Sequence, residues 1–146
     1  MFKMLNVLGS GSFGTIVKAE LKTPIAGKSK FYALKFLLKS NIIKSSFFKN
    51  GKLKQILEEK NILMMMDNPF VLSHMGSFQT PNALVIVTEV LDTDLYTLIY
   101  DNAHHKKGLP VPSVKFYASN IINGLAHIHE KVGFLPSSHI MIPIIT

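Results

Sequence analysis

Three glycines in the spacing Gly-x-Gly-x-x-Gly, followed at once by strand-forming residues, constrain this chain more than any other feature. Gly9, Gly11 and Gly14 lead directly into Thr15-Ile16-Val17-Lys18-Ala19. Such a loop lets backbone amides approach a phosphate closely, because no Cβ stands between them and the anion. A dinucleotide-binding loop must open into a helix whose N-terminus faces the pyrophosphate. The β-branched residues after Gly14 favour a strand instead. A Walker-type loop ends in Gly-Lys-Ser/Thr, and this one ends Gly14-Thr15. A hairpin of two strands joined by a glycine loop remains. Its second strand leads to another apolar run, Phe31-Tyr32-Ala33-Leu34-Lys35-Phe36, with one lysine inside it.

Taken singly, the glycines would suit a plain hairpin turn and Lys35 an ordinary edge-strand lysine. In this order they resemble the glycine-rich loop, Leu8 to Ile16, and the Ala-x-Lys strand, Ala33-Leu34-Lys35, of eukaryotic-type serine/threonine protein kinases. The resemblance implies an α+β fold: a small lobe made of a five-stranded antiparallel sheet and a regulatory helix, followed by the first helices of a large lobe. It also implies that Gly9, Gly11, Ser12, Phe13 and Gly14 cover the phosphates of ATP and that Lys35 pairs with the α and β phosphates. Ile16 and Ala33 would roof the adenine.

Composition narrows the class. At 146 residues with 47% hydrophobic content, the chain has room for one ordinary domain with a buried core. It has no cysteine, so neither a disulfide framework nor a thiolate metal site is expected. No apolar run approaches the roughly 18 residues of a membrane span, and Met4-Leu5-Asn6-Val7-Leu8 is interrupted too soon for a signal peptide. A cytoplasmic protein without membrane partners is expected. All 16 basic residues are lysine, and 12 of them lie between Lys3 and Lys60. Without arginine or interleaved aromatics they read as a solvated surface rather than a nucleic-acid site.

Along the chain, the first strand begins at Phe2, directly after the initiator methionine, so regulatory segments that often precede kinase domains are expected to be missing. Lys22 to Lys30 is a polar Pro/Gly turn. Lys39-Ser40-Asn41-Ile42-Ile43-Lys44 resembles the short basic helix that follows the lysine strand in the AGC kinases, and Ser45 to Gly51 resembles a small insertion. A longer helix is expected from about Lys52 to Met66. Residues three and four apart are neighbours on a helix. Glu58 therefore has the mostly polar company of Lys54, Gln55, Asn61 and Ile62. Glu59 has the mostly apolar company of Gln55, Ile56, Ile62 and Leu63. A carboxylate on a buried face needs a cationic partner, and Lys35 is the natural one. The family likeness of Glu59-Lys60-Asn61-Ile62-Leu63 points to the same glutamate.

Asn68-Pro69-Phe70 resembles the turn after that helix, and His74 stands where the family usually carries an aliphatic residue of its internal spine. Ala83 to Leu91 is an apolar run of strand type. By resemblance Thr88 stands at the back of the adenine pocket, and Glu89 and Leu91 offer hinge backbone groups to the adenine edge. Asp92 to Ile99 opens a helix that Asp or Thr can cap, and this segment is closer to the mitogen-activated and cyclin-dependent kinases. Paired histidines at His104 and His105 lack the further ligands that a metal site needs. From Ser113 to Lys131 the positions Val114, Tyr117, Ala118, Ile121, Ile122, Leu125 and Ile128 follow the helical period. The expected organisation is thus a small lobe and hinge over 1–91, first large-lobe helices over 92–131 and a divergent apolar tail over 132–146.

After Lys131 a kinase would continue into His- or Tyr-Arg-Asp and a magnesium-binding Asn. This sequence contains no arginine and no Asp-Phe-Gly. The reading is therefore a kinase fragment, truncated before the catalytic loop, with no catalytic residues, weak ATP binding at best and no magnesium held by this chain alone. The alternative is a non-catalytic, pseudokinase-like module that binds an intact kinase or regulator through exposed helix faces. A genuine shortened protein and a read-through into an intron at Val132-Gly133 both remain open as origins of the tail.

Overall fold

The computed structural model describes residues 1–11, 14–23, 25–44, 52–101 and 108–133. These fall into two compact units, one of residues 1–64 and 74–90, the other of 65–73 and 91 onward.

The first unit is a five-stranded antiparallel sheet with two helices. Strands β1 (Phe2–Gly11), β2 (Gly14–Leu21), β3 (Phe31–Leu38), β4 (His74–Gln79) and β5 (Ala83–Glu89) lie in the order β1-β2-β3-β5-β4. Helices α1 (Lys39–Lys44) and α2 (Lys52–Met65) follow β3. β1 and β2 outrun the strands expected from the sequence by several residues, since the ladder runs up to the glycines themselves, with Gly11 opposite Gly14.

Side chains alternate across the sheet, so each face has its own core. One face buries Ala19, Tyr32, Leu34, Ala83, Val85 and Val87, with Phe2, Leu21 and Phe36 packed at its margin. The sheet curls over this face until its two edge strands meet: Phe2 of β1 stacks on Phe78 of β4 at 6.4 Å and meets Tyr32 edge-on at 5.7 Å. Aromatic pairs at such separations add to the burial they contribute. The other face buries Leu37, Ile86 and Ile42, the last brought in by α1.

Three register shifts shape the edges, the first of them in β1 between the Met4–Ala19 and Val7–Val17 pairs. β1 gains a further residue at Leu8, because Val7 pairs with Val17 and Gly9 with Ile16. β4 gains one at Met75, between the His74–Thr88 and Gly76–Val87 pairs. Bulges of this sort bend a strand and deepen its twist.

In the second unit, Asp94 caps a short helical turn. Its carboxylate accepts from the Thr97 amide at 2.8 Å and from the Thr97 hydroxyl at 3.1 Å. The turn continues as a π-helix over Thr97–Asp101 rather than the regular helix expected. Helix α3 spans Val111–Val132. It starts two residues before the expected Ser113, because Pro112 in the first turn loses no intrahelical hydrogen bond. The apolar spacing from Val114 to Ile128 implies one stripe along α3, but burial follows only the flank of that stripe that carries Ile128. Asn120, Gly124 and Ile128 are buried, whereas Val114, Ile122 and Leu125 are 49%, 64% and 37% exposed.

Candidate functional site

Residues directly opposite each other in an antiparallel ladder project to the same face. Ile16 lies opposite Lys35. Lys35 in turn lies opposite Ile86, and Ala33 lies opposite Thr88. Ile16, Ala33, Lys35 and Thr88 therefore share one face across three adjoining strands. Ala33 and Thr88 are buried there, and Ile16 and Lys35 are half-buried.

The glycine hairpin adjoins this face, with Gly9 opposite Ile16. Its glycines serve two purposes. Gly14 has φ of +133°, and a Cβ on it would stand 2.0 Å from the Phe36 carbonyl oxygen of β3. Only glycine allows the hairpin to lie this close to β3. A Cβ on Gly9 or Gly11 would meet nothing within 4 Å. Their bareness is not a packing requirement, and it leaves the backbone open to a ligand. Leu8, the bulged residue just before them, is largely exposed. Ser12 and Phe13, assigned to the loop tip, lie outside the described residues.

Glu59 falls on α2, and its side chain is outside the described ones. Its neighbours one turn on, Ile62 and Leu63, are buried, while Glu58 is exposed. Glu89 ends β5 opposite Tyr32 and is half-buried. Leu91 is the first residue of the second unit.

His74, which the resemblance sets at a spine position of the core, also has a neighbour that the sequence does not indicate. His74 lies opposite Thr88 and so joins the same face as Lys35. Its Nε2 is buried without a hydrogen-bond partner among the described residues. Burial pushes the imidazole pKa down from its ordinary value, and the Lys60 charge adds to the effect. No sequence signal announces this pairing, because it depends on the bulge at Met75.

The family description "Protein kinase domain" matches residues 2–135. Among curated proteins, the chain is 30% identical over 130 residues to "Protein kinase 2" of Dictyostelium discoideum, covering 89% of this chain and 25% of that protein. It is 32% identical over 131 residues to "G protein-coupled receptor kinase 2" of Drosophila melanogaster, covering 89% of this chain and 17% of that protein. It is 29% identical over 134 residues to "cAMP-dependent protein kinase type 3" of Saccharomyces cerevisiae, covering 89% of this chain and 30% of that protein. The chain thus spans less than a third of the length of each of these relatives. With the five-stranded sheet, the glycine hairpin and the lysine strand in place, the chain belongs to the protein kinase domain family.

Proposed function

We propose that this chain carries the nucleotide-holding half of an ATP-dependent serine/threonine kinase site. The observation that supports this best is the register that sets Ile16, Ala33, Lys35 and Thr88 on one face beside the glycine hairpin. The residues suit the group: a bare backbone at Gly9 and Gly11 for phosphate oxygens, a lysine for their charge, and small or apolar side chains for a flat base.

In this reading the loop from Leu8 through Gly9, Gly11, Ser12, Phe13 and Gly14 lies over the phosphates. Lys35 pairs with the α and β phosphates and is oriented by Glu59. Ile16 and Ala33 cover the adenine, Thr88 closes the back, and Glu89 and Leu91 lend backbone groups to the adenine edge. Phosphoryl transfer also needs positioned magnesium and an oriented hydroxyl nucleophile. The Arg-Asp and Asp-Phe-Gly motifs that supply them in the family do not occur in this sequence. By itself the chain binds ATP weakly and does not turn it over.

Titration of the purified chain with ATP tests this. Lys35→Ala should weaken binding by about tenfold or more, the scale of a hydrogen bond to a charged group, and neither protein should incorporate phosphate from labelled ATP. Incorporation that Lys35→Ala abolishes would overturn the inactive reading; binding that ignores Lys35→Ala would overturn the site. A second reading, a non-catalytic interaction module, draws on the exposed Val114, Ile122 and Leu125 of α3. A monodisperse complex with an intact kinase or regulator, lost on replacing those residues, would favour it.

A further inference from the structure

One end of the sheet gathers charge and apolar surface that the linear sequence scatters. The connection from β2 to β3 closes there, with the Leu21 amide donating to the Lys30 carbonyl at 2.8 Å and the Lys22 amide to the Met1 carbonyl at 3.0 Å. Its tip is a turn in which the Lys28 amide donates to the Ile25 carbonyl at 3.0 Å. Gly27 has φ of +71° at the third position, as a type II turn demands. Lys3 lies opposite Glu20 at this same end. Lys3, Lys22, Lys28 and Lys30 are thereby collected at one corner, all exposed. Between them stand Ile25, 58% exposed, and Phe31, 38% exposed.

Acidic residues offset this corner only in part. Glu20 is bound to Lys30 at 2.6 Å. That hydrogen bond, with the charges of Lys30 and Lys3, holds the Glu20 carboxyl below its ordinary range. Glu89 ends β5 at this end of the sheet, opposite Tyr32. Lys3, Lys22 and Lys28 have no carboxylate partner among the hydrogen bonds and ion pairs of the described residues.

We propose that this corner is a docking surface for an anionic lipid membrane. Lysines at its rim would meet lipid phosphates, while Ile25 at the turn tip and the edge of Phe31 reach the boundary of the acyl region. Basic and apolar groups in one patch are what interfacial binding requires. Nucleic acid fits less well. Its readers rely on arginine forks and free aromatic faces. This chain has no arginine. The Phe31 ring is covered by Lys18 at 5.2 Å and Lys30 at 5.9 Å, so its face is not free to stack on a base.

The test is flotation of the full 146-residue chain with vesicles of phosphatidylcholine alone or with about one-third phosphatidylserine, at near-physiological salt. A lysine near an anionic membrane is worth about fivefold in partition. The triple variant Lys3→Ala, Lys22→Ala, Lys28→Ala should therefore lose on the order of 100-fold in binding to the anionic vesicles. Ile25→Ser should bind the anionic vesicles several-fold more weakly while keeping its far-ultraviolet circular dichroism. Equal partition into neutral and anionic vesicles would overturn the proposal. So would anionic binding unchanged in a folded triple variant, or displacement from the vesicles by a single-stranded oligonucleotide at equal phosphate concentration. None of these outcomes depends on whether ATP binds.

Discussion

Gly14 and the two glycines before it answer to different forces, and substitution should separate them. A side chain at Gly14 would drive into the Phe36 carbonyl and hold a backbone angle that L-residues avoid. Gly14→Ala is expected to cost about 3 kcal/mol or more in folding free energy, whereas Gly9→Ala and Gly11→Ala, facing open space, should stay within about 0.5 kcal/mol. Urea unfolding of the three variants decides it, and three equal losses would contradict the division. His74 offers the reverse case. Its buried Nε2 lacks a partner among the described residues, so His74→Leu should raise stability by about 1 kcal/mol at neutral pH, the cost of leaving a buried polar group unpaired. The pH dependence follows from the lowered pKa of the folded state. As pH falls through about 6.5, the unfolded chain takes up the proton first, and stability is lost until pH passes the folded value. The gain from His74→Leu should therefore widen between pH 7 and pH 5. A gain that stays constant across that range would remove the imidazole as its cause.

At the scale of elements, local chemistry was readable where one residue type decides the outcome. The glycine spacing followed by β-branched residues marked β1 and β2, and the apolar run through Lys35 marked β3. Asp94 caps the turn it was free to cap. What escaped notice depends on partners distant in sequence. Leu8 and Met75 become bulges only through their ladders, and the second of these places His74 opposite Thr88. Helix α3 was legible as a helix, but its covered side was not. Its apolar spacing marks one stripe, whereas the covered side is centred beyond the edge of that stripe. The buried side holds Asn120, whose Nδ2 has no partner among the described residues, together with Gly124 and Ile128. A reading by hydrophobicity would have turned Ile122 inward ahead of Asn120, and tertiary packing reversed that order. The candidate site was legible as a set of residue types. Its common face was not, because only the register of β2, β3 and β5 shows it.

Charge is divided unevenly over the whole molecule, and this sets how copies of the chain should meet. The first unit has twelve lysines against four acidic residues, and the second has four against five. Two first units repel each other at low salt, and no such barrier protects the second. The second unit also presents Val111, Val114, Ile122 and Leu125 on the exposed side of a 22-residue helix. Contiguous apolar surface of this kind promotes association. Self-association is therefore expected to run through α3 and to strengthen as salt rises, since salt screens the repulsion between first units without weakening apolar contact. Sedimentation velocity at low and high salt reads this directly. The triple variant Val114→Gln, Ile122→Lys, Leu125→Gln should remain monomeric under both conditions while keeping its helical circular dichroism. Association that weakens with salt, or that survives these substitutions, would move the contact off α3 and onto charged surface.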